Sequence, residues 1–253
     1  MSEFDQTVIV ITGAAGNLGR AVAQAFAVHG AHLALLDLNA EGIEKTIEDC
    51  KGQASAQGFA CNLVDRLSVE SAIEEVLQSF GRIDVLANIA GGFTMGPLIQ
   101  DTEDRDWDFM MNLNARSVLN TCRPVIPAML ENEGGGRIIN VSARAAVQGK
   151  GRMGPYCASK AAVLTLTESL AAENRMDNIN VNCISPSYVL TPMHASTPVV
   201  VRSRIRELTP LGHVQRPEDL YGPVVFLASE ASNYVTGHDL MVDGGHTLNA
   251  WLT

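Results

Sequence analysis

Apolar and polar positions along the chain follow two alternating rhythms. Short β-rich apolar runs stand at Thr7–Ile11, His32–Leu36, Ser55–Cys61, Ile83–Ala87, Arg137–Val141, Ile179–Ile184 and Asp239–Val242 and read as strands. Amphipathic stretches of helical length occupy Leu18–His29, Ala40–Lys51, Leu67–Phe80, Asp104–Leu130, Pro155–Asn174 and Glu218–Ala228. Strands separated by helices pair in parallel through right-handed crossovers. The pattern predicts an α/β fold: a doubly wound parallel sheet of about seven strands with helices on both faces, forming a single domain over 1–253. One segment breaks the rhythm. Ser185–Arg216 is proline-rich and too long for an ordinary connection, so a substrate lid is expected at about 188–216.

Composition supports that architecture. Apolar residues make up 46% and charged residues 18%, with 22 glycines, which suits strands covered on both faces. A formal net charge of -10 argues against nucleic acid as a partner and offers nothing to anionic membranes. Met1–Gln6 is polar and a strand follows at once, so neither a signal peptide nor a membrane span is expected. Cys50, Cys61, Cys122, Cys157 and Cys183 form no C-x-x-C and no ligand-like cluster. Free thiols in a reducing compartment, a cytoplasmic location and no metal site follow as expectations.

The first strand runs into Thr12-Gly13-Ala14-Ala15-Gly16-Asn17-Leu18-Gly19. Glycines spaced three apart let a backbone turn tightly and approach a pyrophosphate seated on the amide-rich start of a helix. Because this run follows a strand and opens a helix, it marks a Rossmann-type dinucleotide site. The second strand leads to Asp37, whose carboxylate would accept both adenosine ribose hydroxyls and repel a 2′-phosphate, while Leu38 and Asn39 supply no positive charge. NAD is therefore expected over NADP. Asn39 is the better helix cap, which leaves Asp37 for the ribose. Asn88-Ile89-Ala90-Gly91-Gly92 closes the fourth strand, where small residues would let a coenzyme pass close to the backbone.

Tyr156 and Lys160 stand four apart at the start of a helix and so share one face. For a tyrosine to exchange protons near neutrality, its pKa must fall from about 10, a change of roughly 4 kcal/mol. A neighbouring lysine charge can supply energy of that order.

Taken with Asn114, Pro186, Thr191 and Asp243-Gly244-Gly245, these elements resemble the conventional single-domain short-chain dehydrogenase/reductases along nearly the whole chain. The resemblance implies a hydride transfer between NAD and a small secondary alcohol or ketone. It casts Tyr156 as proton donor or acceptor and Lys160 as the residue that binds the nicotinamide ribose and lowers the tyrosine pKa. Asn114 would anchor a water in the proton relay. Asn62, with Leu63 beside it, matches the adenine-contacting position, where the family usually has Asp. Val189 and Thr191 match the positions that hold the carboxamide. A homotetramer, or a homodimer, is the implied assembly.

Three departures stand out. The middle glycine of the turn is Gly16, with Asn17 where the family places glycine, and Ser187 replaces the glycine after Pro186. The family's catalytic serine position falls on Ala143, and serine appears one place earlier, at Ser142. Either Ser142 orients the substrate carbonyl, or the site works without serine, as in the dihydropteridine reductases of the family. A non-catalytic nucleotide-binding protein on this fold, or a methyltransferase on a similar sheet, would have no use for Tyr156 with Lys160. The pocket walls are expected at Gly92–Met95, Arg144–Arg152, Tyr188 and the lid. Arg144, Gln148, Arg152 and His194 are candidates for holding a carboxylate or sugar hydroxyls, and a small polar substrate is expected. Arg202, Arg204 and Arg206 hint at an acyl-carrier partner, but they recur at every second position and do not line one helical face, so that partner ranks below a small polar substrate.

Overall fold

The computed structural model describes residues 3–191 and 197–251. Seven parallel strands form one sheet: β1 Val8–Thr12, β2 His32–Asp37, β3 Ser55–Ala60, β4 Val85–Asn88, β5 Gly136–Val141, β6 Ile179–Pro186 and β7 Asp239–Val242. Their order is β3-β2-β1-β4-β5-β6-β7. The order reverses between β1 and β4, so a crevice opens at their carboxyl ends.

Side chains alternate across the strands, and each face carries its own core. On one face Val10, Leu36, Leu86, Ile138 and Val181 pack with α3 (Arg66–Phe80), α5 (Ser117–Leu130) and α6 (Gly154–Glu173). On the other, Ile9, Leu35, Val85, Ile139 and Ile184 pack with α1 (Asn17–Ala27), α2 (Ala40–Cys50) and α8 (Tyr221–Ala228). This two-sided burial explains the near-continuous apolar runs of the inner strands.

Two expected helices divide. The stretch predicted as one helix over Asp104–Leu130 is α4 (Asp104–Met111), a π-helical turn over Asn112–Arg116, then α5. The wider turn carries Asn114 inward, where it is fully buried. Glu218–Ala228 is a 3-10 turn over Pro217–Leu220 leading into α8, since Pro217 suits the first position of a helix rather than its interior. The long excursion after β6 contains a further helix, α7 (Val199–Glu207). Pro192–Ser196, and with it His194, lies outside the described residues.

Candidate active site

At the end of β1 the glycine turn fits tightly against β4. Gly13 has φ 67°, and a Cβ there would stand 2.8 Å from the Cα of Ala90. A Cβ on Gly19 would stand 2.1 Å from the Gly13 carbonyl oxygen. The Ala90 amide donates to the Thr12 hydroxyl at 3.1 Å and pins the two strand ends together. Gly16 caps α1 with φ -78°, and Asn17 is the first helical residue, followed by Leu18. The shifted middle glycine thus falls on a cap whose backbone any residue can adopt, and Asn17 begins the helix without strain.

Asp37 closes β2 with its carboxylate aimed back at this turn. It accepts from the Ala15 amide at 3.1 Å and the Asn39 amide at 2.9 Å. A carboxylate has about four lone-pair sites, so acceptor capacity remains for hydroxyls. Asn39 caps α2 by accepting from the Gly42 amide at 3.1 Å, as its sequence position suggested. Leu38 beside it is 73% exposed. Past β3, the Asn62 side chain accepts from the Val64 amide at 3.2 Å, and the carbonyl of buried Leu63 accepts from Asn120 at 2.9 Å. A glycine turn closed tightly against Ala90, an exposed helix start and a carboxylate with spare acceptor capacity form a cradle that fits a dinucleotide. A cavity of about 380 Å³ adjoins it, bordered by Asn17, Arg20, Leu190 and Arg216, beside the glycine turn rather than at Tyr156.

Tyr156 lies on the first turn of α6, where Pro155 supplies a preorganised helix start. The Phe93 ring meets it edge-on, centroids 5.0 Å apart. Lys160, one turn on, is 5% exposed and donates from Nζ to the Val141 carbonyl at 2.8 Å. Burial pushes its ammonium down to about 8. Burial also pushes the Tyr156 phenol up to about 12, the opposite of the direction expected from its lysine neighbour. Desolvation of the phenolate is the larger cause, and neighbouring Cys157 adds to it in the same direction.

Asn114 ties this pair to the cofactor loop. Its Oδ1 accepts from the Gly92 amide at 2.9 Å, and its Nδ2 donates to the Ser159 hydroxyl at 2.9 Å. Ser159 in turn donates to the Tyr156 carbonyl at 2.8 Å. A Cβ on Gly91 would stand 2.8 Å from Asn114 Oδ1 and 3.0 Å from Lys160 Nζ, so only glycine leaves both groups their room. Asn88 holds the strand ends in register, donating to Asn140 at 2.9 Å and accepting from Thr121 at 2.7 Å.

Ser142 is 2% exposed, and its hydroxyl donates to the main-chain oxygen of Lys160 at 2.7 Å. Ala143, next along an extended backbone with φ -165°, presents its methyl group the other way.

β6 ends at Pro186, and the following strap is clasped by Gln215. The Ser187 amide donates to Gln215 Oε1 at 2.8 Å, Gln215 Nε2 donates to the Val242 carbonyl at 2.7 Å, and the Leu190 amide donates to the Gln215 carbonyl at 2.7 Å. Val189, paired with Gln215 as a single β-bridge, and Thr191 sit on this strap. A cavity of about 210 Å³ between α7 and β7 is lined by Ser187, Tyr188, Thr209, His213 and Asp243, among others.

Sequence reading gave no role to Ser159 or Gln215. For Ser159 a signal existed: a hydroxyl three residues after Tyr156 can bond its carbonyl. Gln215 had none, because its partners are backbone atoms on two distant segments. Among the described residues no cluster of His, Cys, Asp and Glu could hold a metal, and no helix is long and apolar enough to cross a membrane.

Comparison with known proteins gives a consistent picture. Residues 13–247 match the family model described as enoyl-(acyl carrier protein) reductase. The chain is 38% identical to D-threitol dehydrogenase of Mycolicibacterium smegmatis over 97% of this chain and 94% of that one. It is 35% identical to a 3-oxoacyl-[acyl-carrier-protein] reductase of Thermotoga maritima, over 94% and 96%. Among solved structures, NAD+-bound xylitol dehydrogenase superposes with a TM-score of 0.88 at 29% identity, covering 96% of this chain and 100% of that one.

Proposed function

Because the chain belongs to the short-chain dehydrogenase/reductase family, we propose that it moves a hydride between NAD and a small polar secondary alcohol or ketone, with Tyr156 as general acid and base and Lys160 assisting. The carrying observation is the buried Lys160 ammonium, fixed by the Val141 carbonyl one helical turn from Tyr156. Among the described residues it makes no ion pair, so its charge acts on whatever lies beside it.

When bound, the nicotinamide exchanges the hydride and, in its oxidised form, brings a positive charge. Gly13, Gly16, Asn17, Leu18 and Gly19 hold the pyrophosphate, Asp37 and Leu38 the adenosine ribose, and Asn62 with Leu63 the adenine. Asn88, Ala90 and Gly91 would line the dinucleotide's path, and Pro186, Val189 and Thr191 would hold its carboxamide. In carbonyl reduction, neutral Tyr156 donates its proton to the developing alkoxide. In alcohol oxidation the phenol must ionise, and bringing it from about 12 to neutrality takes about 7 kcal/mol. Lys160 supplies about 4 kcal/mol if it stands about 4 Å away at intermediate dielectric, and the nicotinamide charge adds to it. With its pKa near 8, Lys160 keeps its proton at neutral pH. Asn114 anchors the water that returns protons to this pair.

A serine-less variant of this mechanism, as in dihydropteridine reductases, is favoured by one observation: the Ser142 hydroxyl is spent on the Lys160 main-chain oxygen, and Ala143, next along an extended backbone, points its methyl group the other way. On this reading Ser142 positions Lys160 and touches no substrate. The relatives named for threitol and xylitol support a polyhydroxylated or similarly polar substrate. The family's tetrameric or dimeric assembly is carried over as well; half-exposed Trp107 and Phe109 on α4 are apolar surface an assembly would cover. Absorbance at 340 nm, followed with a panel of polyols and ketones and with NAD(H) and NADP(H) in parallel, tests the reading. NAD-linked turnover of a polar secondary alcohol supports it; tight NADH binding without turnover of any compound contradicts it.

A further inference from the structure

We infer that Arg144, steadied by Gln148 and reinforced by Lys150, is a binding site for a carboxylate carried by the substrate. The inference rests on the oxidoreductase reading above and narrows its substrate to hydroxy acids and their keto counterparts.

Arg144 directly follows Ala143, on a 3-10 turn (Arg144–Ala146) that packs against α6, the helix bearing Tyr156 and Lys160. Its guanidinium is half-buried, yet among the described residues no carboxylate stands within ion-pair distance. Its Nη1 donates to Gln148 Oε1 at 2.6 Å, which fixes the plane of the fork. Its Nε, closed off from solvent, has no acceptor among the described residues. A half-buried charge with an unmet donor is costly unless an anion completes it, and a guanidinium fork matches a carboxylate in shape.

The acid acting on Arg144 from nearby is Asp243, and it is already engaged. Its Oδ1 accepts from the Gly245 amide at 2.9 Å and its Oδ2 from the Thr247 amide at 2.6 Å. Lys150 adds a second cation to this corner, again with no ion pair among the described residues. Burial lowers its proton affinity, and the Arg144 charge lowers it further. His246, across from them, feels the same two cations: burial, Arg144 and Lys150 lower its pKa against the opposing pull of Asp243. In a chain of net charge -10, two adjacent cations faced by Asp243, an acid already held by backbone amides, are not the general background.

Two measurements test the assignment. In the first, kcat/KM is compared for matched pairs: 3-hydroxybutanoate with 1,3-butanediol, and erythronate and threonate with erythritol and threitol. The acids should be used at least tenfold better. Arg144→Gln should erase that preference through KM for the acids, Arg144→Lys should restore part of it, and Lys150→Ala should weaken it. In the second, succinate, which has no carbinol to oxidise, is titrated against the NADH-bound enzyme by fluorescence. Binding that disappears in Arg144→Gln, with NADH affinity and melting temperature retained, supports the site whether or not any alcohol is turned over. Absence of succinate binding to the wild type, diols preferred over acids, or an acid preference that survives Arg144→Gln would each overturn it. Failure of every compound as a substrate, with NADH and succinate both bound, would instead sink the oxidoreductase reading and leave the anion site standing.

Discussion

The Ser142 hydroxyl donates to the main-chain oxygen of Lys160, 2.7 Å away and sealed from solvent. A serine beside the catalytic position thus fastens strand β5 to the turn of α6 that carries the lysine, and its hydroxyl is not free to polarise a carbonyl. Ser142→Ala should therefore keep turnover within about threefold of wild type while losing about 1 kcal/mol of stability, the worth of one buried hydrogen bond. Steady-state kinetics and a urea melt on the same preparation check both halves.

Lys160 is held charged at an energetic cost. Its pKa falls from 10.5 to about 8 on burial, so below pH 8 the folded protein carries a penalty of about 3 kcal/mol that is relieved as pH rises from 8 toward 10.5. Lys160→Met removes that penalty and loses one hydrogen bond to Val141, worth about 1 kcal/mol. At pH 7 the variant should melt no lower than wild type, while alcohol oxidation falls at least a hundredfold. The difference in melting temperature should shrink above pH 9.

Asp37 is expected to set the preference for NAD. Its carboxylate, fixed by the Ala15 and Asn39 amides, would stand against a 2′-phosphate. The wild type should use NAD at least a hundredfold better than NADP by kcat/KM. Asp37→Ser combined with Leu38→Arg should reverse the order, as measured with one substrate and both cofactors.

Gln215 joins the strap after β6 to the end of β7 through a single side chain. Gln215→Ala should raise the KM for NAD about tenfold and leave kcat within about threefold. Gln215→Glu keeps the acceptor for Ser187 but sets a carboxylate oxygen against the Val242 carbonyl. Its NAD affinity should recover as pH falls, because a protonated carboxyl can donate where the amide did.

Much of this was legible in the sequence, and the reasons are physical. Short, near-continuous apolar runs marked the inner strands, since burial on both faces leaves little room for polar residues along them. The glycine turn at the end of β1, Asp37 at the end of β2 and Tyr156 one turn before Lys160 on α6 stand where local spacing put them, because each position depends on short-range geometry. The π-turn at Asn112–Arg116 was not: one extra residue in a helical turn leaves apolar periodicity almost unchanged, yet it decides that Asn114 points inward. Nor was the direction of the Tyr156 pKa. Spacing placed a lysine one turn away, but burial, the largest cause of the shift, is a tertiary quantity that spacing does not report. The choice between Ser142 and Ala143 also needed the third dimension, since it turns on which of two adjacent residues faces α6.

Tyr156→Phe is the most direct measurement of the central claim, because it removes one hydroxyl and leaves the ring against Phe93. With NADH affinity by fluorescence unchanged, its single-turnover rate of alcohol oxidation at 340 nm should fall at least a thousandfold. Retention of more than about a tenth of the wild-type rate would contradict Tyr156 as the proton-transferring group.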